Sequence, residues 1–417
     1  MKKQKTDNDI HAIKQENDAF HKAEAVMDLG VDIDEELPQH QTITIFEDQH
    51  EIHAAEEDSA ENLTLKPKDK YKFIRSIGFG GMKAVLQVKD KDTTRKMAMA
   101  IIPDFRDRPK SEIARFIREA RITARLEHPN IVPIHDIGVD SSGSPYFTMK
   151  YLRGKSLATI IKKLRDGNPE YLARYDLPRL LRIFVKVCNA IAFAHSRNVI
   201  HLDLKPENIH VGDFGEVLVL DWGLSKFVGV DDDSDDENED SGGSSSEIMT
   251  LDGVAKGTPG YMAPEQAAGK NREKDERTDI YGLGCILYSI LIFESPLSGK
   301  DVQKLLEDTI RGNIQTPSEV KNVNRPIPAA MEAICLKAME RYPAHRYQNV
   351  SELREDIFAF MAGFATKAEN ASSLKKTVLF INRNFLMLVF IITFILLVAI
   401  VGSLTFLYVN KLITINF

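Results

Sequence analysis

From Tyr71 onward, apolar and polar positions in YKFIRSIGFGGMKAVLQVKD, residues 71–90, alternate around glycines. This pattern predicts a two-stranded hairpin, and KMAMAII predicts a third strand after it. In SEIARFIREARITARLEH the period changes. Ile113, Phe116, Ile117, Ala120 and Ala124 recur at helical spacing, with Pro129 just past the end. Two more strand-like runs follow, at 131–139 and 146–152. Residues 69–150 therefore read as a small β-rich lobe with one long helix. Beyond it, LPRLLRIFVKVCNAIAFAHS, TDIYGLGCILYSILIF and the region 330–360 are apolar helices, which make 151–362 a helical second lobe. The fold class is α+β.

The remaining segments have other compositions. Residues 1–68 are rich in Asp, Glu, Gln, Asn and His, and Ile10, Ile13, Phe20, Ala23 and Met27 form only a weak helical stripe. So little apolar surface cannot offset the entropy of ordering, so an acidic, polar, disordered tail is expected. His50 and His53 lie three apart within it, as solvated histidines rather than metal ligands. Residues 228–256 interrupt the helical lobe with acid, Gly and Ser and read as a long mobile loop. Residues 363–384 read as a basic linker, and 385–409 (FLMLVFIITFILLVAIVGSLTFLYV) carry no charge. At ~1.5 Å per residue that stretch spans a hydrocarbon core of about 30 Å. Lys375, Lys376 and Arg383 precede it and only Lys411 follows, so the positive-inside rule puts the folded part in the cytoplasm and 410–417 outside as a short tail.

Composition changes this picture little. The net charge is −7, but 231–240 (DDDSDDENED) alone holds eight acidic side chains. Without that block the balance is about +1, so no basic field argues for nucleic acid. Cys188, Cys285 and Cys335 are far apart; Cys188 and Cys285 sit in apolar stretches and read as buried free thiols, as in a reducing compartment. The N-terminus lacks the apolar core of a secretory signal.

The densest chemistry lies in HLDLKPENIHVGDFGEVLVLDWGLSK, residues 201–226, followed by GTPGYMAPE at 257–265. These segments resemble the catalytic loop, metal-binding loop and substrate-binding segment of the Ser/Thr protein kinases, and the resemblance covers about residues 70–360. It implies the bilobal kinase fold and the cofactors ATP and Mg²⁺. Asp203 is then the base that orients a substrate hydroxyl, Lys205 reaches the γ-phosphate, and Asn208 and Asp221 hold the metal, with Gly223 letting the loop turn. His201 is structural. Thr258 stands against the base and lysine, Thr250 lies in the activation segment, Asp279 accepts from the catalytic-loop backbone, and Glu265 pairs with Arg346. ATP would be met by Ile77, Gly78, Phe79, Gly80, Gly81, Lys83, Val85 and Ala98, by Met149 as gatekeeper, and by Lys150, Tyr151 and Leu152 as hinge.

Two departures stand out. The family expects a lysine on the third strand, paired with a helix glutamate. Here the run is Met97-Ala98-Met99-Ala100, so Ala100 replaces that lysine while Glu119 remains. Lys83 takes the third glycine position of the glycine-rich loop. That exchange resembles the with-no-lysine kinases and implies that Lys83 supplies the missing ammonium. The alternatives are a solvated Lys83 in a pseudokinase scaffold, and an engineered inactivating change at Ala100. Leu202 stands where many kinases carry an arginine that grips an activation-loop phosphate, so Thr250 and Ser244–Ser246 are expected to be dispensable. Trp222 replaces the usual Phe.

The overall resemblance is to bacterial membrane-anchored Ser/Thr kinases, which implies a single-pass protein of the cell (inner) membrane acting on protein substrates. The acidic block reads as a solvated run. The rival reading, a lure for basic substrates or a flap over their groove, would show as a salt-sensitive KM that disappears when 231–240 is deleted. Gly402 and Ser403 would permit close helix contact and a homodimer.

Overall fold

Strands β1 (Tyr71–Phe79) and β2 (Ala84–Asp90) pair antiparallel, and Gly78 faces Val85 across the ladder. The computed structural model describes residues 70–79, 83–140, 142–228, 247–250, 253–320 and 325–415. β3 (Lys96–Ile101), β4 (Ile134–Val139) and β5 (Pro145–Lys150) complete a five-stranded sheet in the order β1-β2-β3-β5-β4. One face of the sheet buries Val88, Met97, Met99 and Tyr146. The other is covered by α1 (Lys110–Arg125), whose Phe116, Ile117 and Ala120 meet Ala100, Ile102 and Phe147. Fully burying each of the larger of these side chains contributes about 1.5–3 kcal/mol. This small core fixes α1, and with it Glu119, against β3.

The second lobe opens with β6 (Gly154–Ser156), α2 (Leu157–Arg165) and α3 (Pro169–Arg174), followed by α4 (Leu177–Ser196). β7 (Val199–Ile200), β8 (Ile209–Gly212), β9 (Val217–Val219) and β10 (Lys226–Phe227) frame the catalytic and metal loops. β6, β8 and β9 form a three-stranded sheet, while β7 pairs with β10. After β11 (Glu247–Thr250) and β12 (Gly253–Lys256) come α5 (Pro264–Ala267), α6 (Glu276–Ile292), α7 (Val302–Arg311), α8 (Ala329–Ala338) and α9 (Val350–Met361). The core centres on α4 and α6. α6 is apolar all round and buried along nearly its whole length, as a helix at the middle of a lobe must be. Cys188, Cys285 and Cys335 are buried free thiols, and burial pushes their pKa values up. The lobes are thus the α+β pair expected from the sequence.

Four boundaries differ from the sequence reading. The strand expected over 131–139 begins only at Ile134; Ile131 makes an isolated bridge to Val219 instead. The insert 228–256 is not loop throughout, because β11 and β12 form an antiparallel hairpin at its end. The basic linker contains α10 (Ser373–Arg383), N-capped by the Ser372 hydroxyl. The apolar helix α11 (Phe385–Ile415) continues past residue 409 through most of the expected tail, since nothing in NKLITI breaks a helix. The tail 1–68 with His50 and His53, Gly80, Gly81, the block 231–240 and Ser244–Ser246 lie outside the described residues.

Candidate active site

The site forms where the C-terminal ends of β7 and β9 meet the sheet of the first lobe. Its foundation is Asp279 on α6. The Asp279 carboxylate accepts from the backbone N–H groups of His201 and Leu202 and from His195 Nε2, each at 2.8 Å. Burial pushes this carboxyl's pKa up, but the His195 bond and the neighbouring imidazoles and amides pull it further down, and the net shift is downward. These bonds hold Leu202 in the left-handed region at φ 64°, a conformation that costs a bulky residue about 1–3 kcal/mol. Gln266 Nε2 donates to the Leu202 carbonyl at 2.8 Å and secures the other side of the turn. Gly282 lies one turn along α6, where an added Cβ would stand 3.0 Å from Leu204 Cβ. The close approach of the loop to the helix therefore needs glycine there.

On this support Asp203, Lys205 and Thr258 close a triangle. Lys205 Nζ donates to Asp203 Oδ2 and to Thr258 Oγ1, both at 2.6 Å, and Thr258 Oγ1–H donates to Asp203 Oδ1 at 2.8 Å. Asn208 Nδ2 donates to the Asp203 carbonyl at 2.9 Å and to Asp203 Oδ2 at 3.2 Å, which ties the asparagine to the base. Asp221 sits at φ 63°. The sequence reading gave the turning role to Gly223, but the left-handed residue is Asp221. Gly223 matters for space: a Cβ there would lie 3.2 Å from Glu119 Oε2 and 3.3 Å from Asp221 Oδ1. Trp222 is buried and packs on the His201 ring with centroids 4.6 Å apart.

Lys83 lies immediately before β2 rather than within the strand. Its Nζ donates to Glu119 Oε1 and, at 2.8 Å, to Asp221 Oδ1. Burial alone would lower the Lys83 pKa, but the two carboxylates outweigh it and hold the ammonium charged. Glu119 shows the converse: burial pushes its pKa up, and Lys83 offsets only part of the rise. Asp221, more open, is held below the usual carboxylate range, with Lys83 overcoming the effect of burial. Ala100 is fully buried on β3 opposite Val85 and Phe147, and it clusters with Phe116, Ile117 and Ala120 of α1.

The residues expected around ATP fall on adjoining strands. Ile77 and Gly78 are on β1, Val85 on β2, and Ala98 on β3 paired with Met149 of β5. Lys150 ends β5, and Tyr151 and Leu152 lead into the second lobe. Phe79 ends β1, and Thr250 ends β11. Arg75 Nη2 donates to the Tyr151 hydroxyl at 3.1 Å and ties β1 to that connection. Farther down, Arg346 and Glu265 make a bidentate pair at 2.8 and 2.9 Å, and Thr278 Oγ1 donates to Glu265 at 2.9 Å.

His195, Gln266 and Thr278 were not singled out from the sequence. His195 closes α4 six residues before His201, and Gln266 follows Glu265 directly, so proximity to the motif was the available signal. Among the described residues no cluster of three or more metal-ligating side chains occurs. The oxygen donors Asn208 Oδ1 and the second oxygen of Asp221 suit a hard cation that also borrows phosphate oxygens.

A two-lobed fold with an Asp–Lys–Asn loop beneath a second, carboxylate-bearing loop is the architecture of the protein kinase type. The chain belongs to the protein kinase family, whose protein kinase domain matches residues 71–358. It is 39 % identical over 301 residues to the serine/threonine-protein kinase PknD of Chlamydia caviae, a match covering 70 % of this chain and 31 % of the relative. PknD of Protochlamydia amoebophila is 37 % identical over 301 residues, covering 71 % and 30 %. PknD of Chlamydia pneumoniae is 37 % identical over 299 residues, covering 71 % and 31 %. The chain thus spans about a third of the length of the curated relatives it matches.

Proposed function

We propose that this chain transfers the γ-phosphate of ATP to serine and threonine hydroxyls of proteins, with Lys83 of the glycine-rich turn acting in place of the absent third-strand lysine. The observation that carries this reading is the position of the Lys83 ammonium between Glu119 and Asp221, while Ala100 is buried on β3 at the position where the family resemblance expects the lysine. Glu119 holds the Lys83 side chain inward, so its charge is available to phosphate oxygens without a large rearrangement.

Asp203 accepts a hydrogen bond from the substrate hydroxyl and aims its oxygen. Its present partner, the Thr258 hydroxyl, is chemically a threonine side chain resting on the base, which supports Ser/Thr hydroxyls as acceptors. Lys205 spans Asp203 and Thr258 and carries positive charge to the group in transfer. Asn208 and Asp221 would hold Mg²⁺, which neutralises phosphate charge when bound. Ala98, Val85 and Met149 supply an apolar surface for the adenine ring, with the Lys150–Leu152 backbone at its edge.

Residues 385–406 form a helix long and apolar enough to cross a membrane, and none of it packs against the rest of the described protein. With Lys375, Lys376 and Arg383 on its N-terminal side, this supports a single span with the catalytic lobes in the cytoplasm. The test of function is transfer of labelled γ-phosphate by the full chain in detergent, beside Asp203→Asn. Transfer by the parent that Asp203→Asn abolishes is expected; no transfer by the parent under Mg²⁺ would leave a membrane-bound scaffold.

A further inference from the structure

Helix α10 has a face that the kinase lobes do not use. Leu374, Val378 and Ile381 recur at i, i+4 and i+7, and they are 76, 48 and 43 % exposed. The other side of the helix is strapped to the lower lobe at both ends. Lys375 Nζ donates to the buried Glu369 carboxylate at 2.7 Å, and the Arg383 guanidinium stacks 3.8 Å from the Phe364 ring. The apolar stripe therefore points away from the folded lobes.

Its place along the chain says what it faces. Asn384 alone separates α10 from α11, and its side-chain amide donates to the Phe380 carbonyl at 2.9 Å, where α10 ends. At ~1.5 Å per residue α10 is about 16 Å long, so all of it lies within that distance of the start of the apolar span. Residues 370–384 contain Lys375, Lys376 and Arg383 and no acidic residue. Among the described residues, Arg383 has no carboxylate partner and Lys376 Nζ no hydrogen bond. Because Arg383 is two residues from Phe385, Phe364 and the edge of the lower lobe are drawn to the same level as the headgroups.

We propose that α10 lies in the surface of a bilayer containing anionic phospholipid, with Leu374, Val378 and Ile381 among the upper acyl chains and Lys376 and Arg383 at phosphate level, and that it holds the catalytic lobes against the membrane. The proposal rests on the reading of 385–406 as a membrane span. An amphipathic helix with apolar side chains on one face and basic ones on the other binds such surfaces by burial and charge together.

The test uses the full chain in nanodiscs of phosphatidylcholine with and without phosphatidylglycerol, carrying Val378→Trp. The natural Trp222 is buried in the kinase core and serves as an unquenched reference. Lipids brominated near the upper acyl chain should quench the introduced indole, more strongly with phosphatidylglycerol present. Lys376→Gln and Arg383→Gln should weaken that lipid preference about fivefold per charge. A chain that enters the discs but whose indole stays unquenched overturns the proposal and leaves the span intact. A chain that does not enter the discs overturns the span reading and this inference together. Hydrogen-exchange protection of 373–383 without quenching, rising with the number of chains per disc, would assign the stripe to a second copy. Amide exchange of the wild-type chain gives the same comparison without the substitution, and rapid exchange of 373–383 in anionic discs would equally overturn the proposal.

Discussion

Arg346 uses all five of its N–H donors. Two meet the Glu265 carboxylate, and the others donate to the carbonyls of Arg277, Glu340 and Arg341. The side chain is fully buried, so removing Glu265 strands a charge where water cannot reach it. Glu265→Ala should lower stability by about 3–5 kcal/mol in urea unfolding; a loss under about 1 kcal/mol would mean the pair is loosely held. Asp279 gives a pH dependence of definite sign. Its carboxyl is depressed in the folded state, so its contribution is present above the unfolded value of about 3.9 and is lost as pH falls through the lower folded value. Asp279→Asn should flatten the acid limb of the urea midpoint below about pH 4 while lowering the plateau. At this scale the sequence showed Asp203, Lys205, Asn208 and Asp221, because their mutual spacing lies within one loop-strand-loop segment. His195 and Gln266 were not visible, since their partners lie 84 and 64 residues away and only the folded chain joins them. The string Asp213-Phe214-Gly215 shows the limit of motif reading. It spells the usual metal-loop sequence, yet Phe214 is 93 % exposed on the β8–β9 turn, whereas Trp222 is buried and Asp221 meets the Lys83 ammonium.

Among the elements, α6 organises the site by carrying both Asp279 and the cleft that receives the catalytic loop. Gly282→Ala would push Leu204 and the turn beside Asp203. It should cut kcat by about tenfold or more with a smaller change in ATP KM, because nucleotide-facing strands are untouched. The activation segment makes a different prediction. Leu202 is apolar and has no means of gripping phosphate, and β11 and β12 already pair through backbone bonds. Thr250→Ala should therefore retain most transfer activity, and a large loss in a kinase assay would contradict the weak dependence on a loop phosphate. The hairpin and long helices were legible because their periods of 2 and 3.6 persist over many residues. β11 and β12 are only four residues each, and the adjoining acid, Gly and Ser obscured them. α10 was hidden by its basic residues, which read as linker although its apolar positions fall at helical spacing.

At the scale of the molecule, a sheet-and-helix lobe and a helical lobe enclose one set of carboxylates and lysines, while an apolar helix stands apart from both. Ending the chain after Ala371, which removes both α10 and the apolar helix, should move the kinase from the membrane fraction to the supernatant on high-speed centrifugation, with transfer to a soluble peptide retained. The central claim concerns the anchor of phosphate charge across the lobes. Without Lys83 the buried Glu119 would lose the largest influence that opposes the rise of its pKa on burial, and the proposed first-lobe anchor for phosphate would be gone. The most direct test is kcat/KM for ATP of Lys83→Ala against the parent chain. A fall of about 100-fold or more is predicted for loss of a charged group at the transferring phosphate. A value within about threefold of the parent would contradict the displaced lysine and return Lys83 to an ordinary side chain of the turn.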